Sequence, residues 1–226
     1  MKQMANLENL AHRMLFLSGC LAAVAGCSFP APERHPVPHS YILSAESLNA
    51  ASSASNSSSN PSSLSRRPIL LVSPPRAQAG FDTPRMVYLL RPHEISYYAD
   101  NQWVDTPERM LAPILAQAME KSDLWKSVVQ LPSMVRADYR LDADDLSLEQ
   151  EFLSRPSRVR LAVKLQLVEL KGRNIIASRD FEIREQAPSD DPYGGVIAAN
   201  RAVEKMLQQT TEWLSAIMSK PAQAEQ

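Results

Sequence analysis

Cysteine is scarce. The 226 residues hold two, Cys20 and Cys27, both near the start of the chain, so the remainder carries no disulfide and no C-x-x-C redox or metal motif. Glycine is nearly as rare, at six, and no Gly-rich phosphate loop, G-x-S-x-G elbow or H-E-x-x-H pair occurs. Long apolar runs are missing too. The uncharged stretch Met14 to Gly26 has 13 residues, short of the roughly 20 that span a bilayer, and VRLAVKLQLVEL is broken by Arg160, Lys164 and Glu169. Neither charge dominates, with 24 basic and 25 acidic side chains, which argues against a polybasic face for nucleic acid or lipid. The four histidines are His12, His35, His39 and His93. Only His93-Glu94 could act as an acid–base pair, and adjacent strand residues point to opposite faces. Asp142, Asp144 and Asp145 lack the Gly and distal Glu of a calcium loop and read as solvated carboxylates at a bulge. No metal and no cofactor is expected.

What is present begins at the N-terminus. Lys2, His12 and Arg13 precede the apolar run, and small residues Ala25 and Gly26 precede Cys27, which is the three-part layout of an export signal. Val24-Ala25-Gly26-Cys27 resembles the lipobox of bacterial lipoproteins, whose cysteine thiol takes a diacylglycerol before cleavage. Leu17-Ser18-Gly19-Cys20 fits the same pattern, but it leaves only Met14 to Leu17 as the apolar core, below the roughly 7 to 15 residues such a core needs. With cleavage before Cys27, the mature chain starts at its single cysteine, lipidated, with a net charge of about −2 once Lys2, Arg13 and Glu8 are gone. Ser28 follows, where an Asp would favour the inner membrane, so the inner leaflet of the outer membrane is the expected address.

Composition then sets the domain plan. Residues 1–26 are the signal, and 27–40 are the lipidated cysteine and a stalk with prolines at 30, 32, 36 and 38. Its 11 residues from 28 to 38 reach about 34 Å at ~3.1 Å each. Residues 41–220 are the domain, and 221–226 an unstructured tail. Inside the domain, 44–65 hold 11 serines in 22 positions and read as a flexible loop.

From Pro68 the sequence is dense enough for one core. PILLVSP, VYLLRP and EISYYAD read as strands. Thr106-Pro107 opens a helix whose stripe is Met110, Leu111, Ile114, Leu115, Ala118 and Met119, with Pro113 expected to kink it. SVVQL reads as a strand. Val159, Leu161, Val163, Leu165 and Leu167 alternate with mostly polar residues; Lys171 to Asn174 is a turn, and Ala177, Arg179, Phe181 and Ile183 carry the return strand. Upstream, the phase of Tyr139, Leu141 and Ala143 switches to that of Leu146, Leu148 and Phe152 at Asp144-Asp145, which predicts a β-bulge. A last helix, capped by Asp190-Asp191, starts near Pro192 and runs to about Met218. The expected fold is α+β: one domain, a mainly antiparallel sheet with a C-terminal three-strand meander, packed by two main helices.

Tyr97, Tyr98 and Trp103 flank a polar stretch, Ala99 to Gln102, that reads as an exposed turn. They are candidate partner-binding anchors, the alternative being that Tyr97 and Trp103 pack over the following helix.

The segment VSPPRAQAGFDTPRMVYLLRPHEISYYADNQWVDTPERMLAPILAQAM, residues 72 to 119, resembles the signature of the ABC-type transport auxiliary lipoproteins, the group that includes paraquat-inducible protein C. Pro75-Arg76, Gly80-Phe81-Asp82, Arg85-Met86-Val87-Tyr88, His93-Glu94, Tyr97-Tyr98, Trp103 and the Pro-initiated helix carry the likeness, with the lipobox, the Tyr41-Ile42-Leu43 strand, the meander and the long last helix. The Ser-rich insert before Pro68 and Pro113 depart from the pattern. The resemblance implies a non-enzymatic periplasmic component of a lipid transport system linking inner and outer membranes. Its implied partners are MCE-domain proteins and an ABC-type or paraquat-inducible-type inner-membrane component, and a homo-oligomeric ring around an MCE tube is compatible with the role. A competing reading is an outer-membrane assembly or chaperone lipoprotein. A periplasmic hydrolase lacks any nucleophile–base constellation.

Overall fold

In a computed structural model the described residues are 37–45 and 67–219. The signal, Cys27, most of the stalk and most of the Ser-rich segment lie outside them. The described residues from Pro38 onward form one compact unit.

The described chain folds into eight strands and two helices. In order they are β1 (His39–Tyr41), β2 (Ile69–Val72), β3 (Arg85–Arg91), β4 (Glu94–Trp103), α1 (Pro107–Lys121), β5 (Ser127–Gln130), β6 (Tyr139–Glu151), β7 (Arg158–Glu169), β8 (Asn174–Gln186) and α2 (Pro192–Met218). All the strands share one sheet built around β6. One edge of β6 pairs antiparallel with β7, which pairs antiparallel with β8, giving the expected meander. The register slips between Asp144 and Ser147, with Asp145 at φ 55°, so the bulge sits where the apolar phase switches.

The other edge of β6 is shared. Its start pairs with β2 and its end with β3, both parallel. Between them residues 73 to 78 follow β6 through backbone bonds such as Arg76 N–H to Ala143 O, 2.9 Å, and Leu146 N–H to Arg76 O, 3.0 Å. β5 joins β2 in parallel, β4 joins β3 antiparallel, and β1 joins β4 in parallel. The sheet is therefore mixed rather than mainly antiparallel. Alternation along a strand reveals its faces but not its neighbours, and every parallel pair here links segments far apart in sequence.

Both helices cover one face. α2 packs on β7 and β8, α1 on β2 and β5, and the two touch. Leu141, Ala143, Leu161, Val163, Leu165, Leu167, Phe181 and Ile183 supply the sheet's half of the core. Val203, Met206, Leu207 and Leu214 of α2, with Leu111, Leu115 and Met119 of α1, supply the other. Burying each of these side chains larger than alanine is worth about 1.5–3 kcal/mol. α2 begins with Pro192 after Asp191, whose carboxylate accepts from Gly194 N–H at 2.7 Å, as a helix N-cap should. Gly194, Gly195, Ala198, Ala199 and Ala202 are buried on α2 and let it lie close to the strands. A Cβ on Gly195 would fall 2.4 Å from Gln150 Oε1. α1 runs through Pro113 without interruption, and Thr106 occupies its N-cap without a side-chain bond.

Candidate docking surfaces

The aromatic group lies on β4, and the structure corrects its setting. Ala99 to Gln102 is not a projecting turn. It is the second half of β4, held between β3 and the three-residue β1, which sequence periodicity alone does not resolve. Tyr41 Oη–H donates to Asn101 Oδ1 at 3.0 Å, and Gln102 Nε2 donates to Ser40 Oγ at 3.3 Å. The polar residues that look like a turn are thus bonded to a neighbouring strand. Trp103 is 3% exposed and belongs to the core, so it is not an exposed anchor.

Tyr97 and Tyr98 are half-buried and committed to internal partners. Tyr97 Oη–H donates to Gly80 O at 3.0 Å, with the Arg85 guanidinium carbon 3.9 Å from its ring centroid. Gly80 has φ +89°, a conformation that favours glycine, and a Cβ there would meet Ile95 Cδ1 at 3.1 Å. Tyr98 packs at a tilt against Tyr88, with centroids 4.6 Å apart, and donates to Gln150 Oε1 at 3.0 Å. Burial, with Tyr88 and Asp191 nearby, pushes its phenol above the ordinary tyrosine range, so it stays a neutral donor. Gln150 is the junction: buried, it also donates to Ser157 Oγ at 3.0 Å and Asp191 O at 3.2 Å, tying β4 and β6 to the start of α2. Sequence reasoning missed it, because a glutamine in a strand normally signals the solvent face.

The open face of the meander carries a second group that the sequence does not announce. Arg160 on β7 donates to Glu149 Oε1 at 2.7 Å on one side and to Glu182 Oε2 at 2.9 Å on the other. Arg184 pairs with Glu182 and reaches Glu151 at 3.5 Å. Glu149 is 4% exposed, and its Oε2 has no hydrogen-bond partner among the described residues. Burial raises its carboxyl above the usual range, and Arg160 opposes that rise.

The remaining candidates resolve as structural groups. His93 has φ 66° in the β3–β4 turn, and Glu94 pairs with Arg91. Asp142 accepts from Ser73 Oγ at 2.6 Å and from Arg140, while Asp144 accepts from Arg76 at 2.6 Å. Among the described residues no group of His, Cys, Asp and Glu could hold a metal ion, and no helix is long and apolar enough to cross a membrane.

Exposed apolar side chains stand at both ends of the sheet, and Val37, Ile42, Val104 and Tyr193 add others around β1. At the end where β6 begins, a cleft of about 830 Å³ opens between the β5–β6 connection and the β7–β8 turn. Arg67, Leu71, Val135, Arg136, Tyr139 and Lys171 line it. Met134, Val135, Ile175 and Ile176 stand exposed at this end. At the opposite end, the β3–β4 hairpin and the β6–β7 loop expose Leu90, Ile95 and Leu153.

Residues 48–210 match the family described as the ABC-type transport auxiliary lipoprotein component, and the chain belongs to that family. Its fold is similar to the crystal structure of protein XCC0632 from Xanthomonas campestris, assigned to family DUF330. There the TM-score is 0.61 at 22% identity, covering 67% of this chain and 86% of that one. An uncharacterised protein of known structure has a TM-score of 0.55 at 11% identity, covering 65% of this chain and 92% of that one. No curated protein matches the chain in sequence.

Proposed function

We propose that this chain is a non-enzymatic adaptor, anchored through a covalent lipid on Cys27 to the periplasmic face of the outer membrane. In this reading it serves an ABC/MCE-type lipid transport system by receiving an MCE-domain protein that arrives from the inner-membrane transporter. Membership in an auxiliary lipoprotein family carries the reading. The cleft end of the sheet, with exposed Met134, Val135, Ile175 and Ile176, is the docking surface we assign to that partner, replacing the aromatic strand whose side chains are internally engaged. Exposed apolar side chains around a concave surface whose lining carries both signs of charge, Arg67, Arg136 and Lys171 with Asp138 and Glu169, fit the anatomy of a protein interface.

The anchor is tested first. Cys27→Ser is expected to leave an uncleaved precursor and to abolish labelling by a palmitate analogue. Label that persists in this variant and disappears only in Cys20→Ser moves the anchor seven residues upstream. The partner is tested by replacing Ile175 and Ile176 with aspartate. Capture of the MCE-domain protein should fall at least tenfold, the effect of losing about 1.4 kcal/mol, while the melting transition holds. Unchanged capture removes the cleft end from the interface.

A further inference from the structure

We infer that the end of the sheet carrying Leu90, Ile95 and Leu153 rests on an anionic phospholipid bilayer, which fixes the orientation of the tethered domain. The inference rests on the lipid anchor at Cys27.

Strand direction makes the argument. β4 runs away from the β3–β4 turn, and β1 lies parallel to it with His39 opposite Asn101. The chain that leads back to Cys27 therefore enters β1 from the side of that turn. From Asn101 to Glu94 is seven residues, about 24 Å at ~3.4 Å per residue. The tether of residues 28–38, rich in proline, reaches about 34 Å at ~3.1 Å per residue. A tether of that length leaving along the strand axis thus brings the hairpin tip to within about 10 Å of the lipid's attachment point. The polar layer of one leaflet is itself about 5–7 Å deep, so any shortening of the tether presses the tip against it.

The surface presented there suits a bilayer. Leu90 is 58% exposed, Leu153 49% and Ile95 41%, and they come from two adjacent turns. Those turns are neighbours because Leu89 pairs with Glu151 and Phe152 N–H donates to Leu89 O at 2.8 Å. Tyr88 and Phe152 meet edge to face, with centroids 6.2 Å apart, just behind them. Arg91, Arg155 and Arg158 are exposed around these side chains; Glu94 pairs with Arg91, exposed Asp190 lies near Arg155, and Glu151 is largely covered. Apolar side chains ringed by arginines at the level of the headgroups combine burial with attraction to anionic lipid. This leaves the cleft end pointing into the periplasm, away from the membrane.

The test uses the full acylated chain in vesicles of phosphatidylethanolamine and phosphatidylglycerol. Leu90→Cys, Leu153→Cys and Ile176→Cys are each labelled with an environment-sensitive thiol fluorophore. The chain without an added cysteine is the control: it should float with the vesicles and take no label, since lipidation consumes the Cys27 thiol. Labels at 90 and 153 are expected to shift to the blue and lose most of their emission to a spin-labelled acyl-chain quencher. The label at 176 should stay as in water. Arg91→Glu combined with Arg155→Glu should return the label at 90 to its aqueous emission while flotation persists. Labels at 90 and 153 that stay aqueous on floating protein, or a label at 176 quenched equally, overturn the orientation and leave the anchor standing. A control chain that takes label and fails to float overturns the anchor, and the orientation with it.

Discussion

Replacing Trp103 with alanine lowers the unfolding free energy by about 3–5 kcal/mol and leaves partner affinity per folded molecule unchanged. The side chain is 3% exposed at the end of β4, where Trp103 N–H donates to Pro84 O at 2.7 Å and β1 pairs alongside. Nothing larger than neighbouring methyl groups can fill the space an indole leaves, so the transfer loss and a cavity cost act together. β1 has only three residues and borrows its position from β4, so the same substitution loosens the point where the tether enters the domain. Chemical denaturation of the variant reads the first effect, and binding measured on the folded fraction reads the second. Normal stability with weakened capture would make Trp103 a docking residue after all.

Arg160→Ala is expected to cost about 3 kcal/mol, the low end for breaking a buried ion pair, because the Arg160 side chain is still 26% exposed. The cost arises on Glu149, which is left with neither oxygen charge-paired in a site 4% exposed. Its pH dependence has a definite sign. Glu149's carboxyl is already raised in the folded protein by burial, and removing Arg160 takes away the main opposing influence. A carboxyl raised on folding favours the folded state below the ordinary glutamate pKa, and that contribution is lost as pH rises through the folded value. The gap between wild type and Arg160→Ala should therefore be small in acid and widen toward neutral pH. Adding Glu149→Gln should close most of it at neutral pH. Denaturation midpoints across that range, on the single and double variants, check the sign; a gap that widens on acidification would contradict it.

The parts of the fold that depend on near neighbours in the chain were legible. The alternation from Val159 to Leu167 marks β7, the phase switch at Asp144-Asp145 marks the bulge, and Asp191-Pro192 marks the start of α2, because each is a local rule about which side chains face the core. What resisted reading was partnership. β2 and β3 both lie along β6 in parallel, with the intervening chain bonded to the same edge, and no periodicity in either strand says so. Asp100-Asn101-Gln102 reads as a turn because its polar side chains have no visible partner until β1 arrives from about 60 residues away. The same blindness hides Gln150 and Glu149, polar residues buried by what packs over them rather than by their own pattern. Tyr97 and Tyr98 were found as aromatics, but their hydroxyls' bonds to Gly80 and Gln150 are tertiary facts.

The central claim is that a membrane-tethered domain presents its cleft end to an MCE-domain protein of the transport system. The most direct measurement places a photo-crosslinking amino acid at position 176 and another at position 90 in the full chain in cells, followed by purification and mass spectrometry of each adduct. The account predicts an MCE-domain protein crosslinked from 176 and phospholipid crosslinked from 90. An outer-membrane barrel captured from 176, or the MCE-domain protein captured from 90 alone, would contradict it.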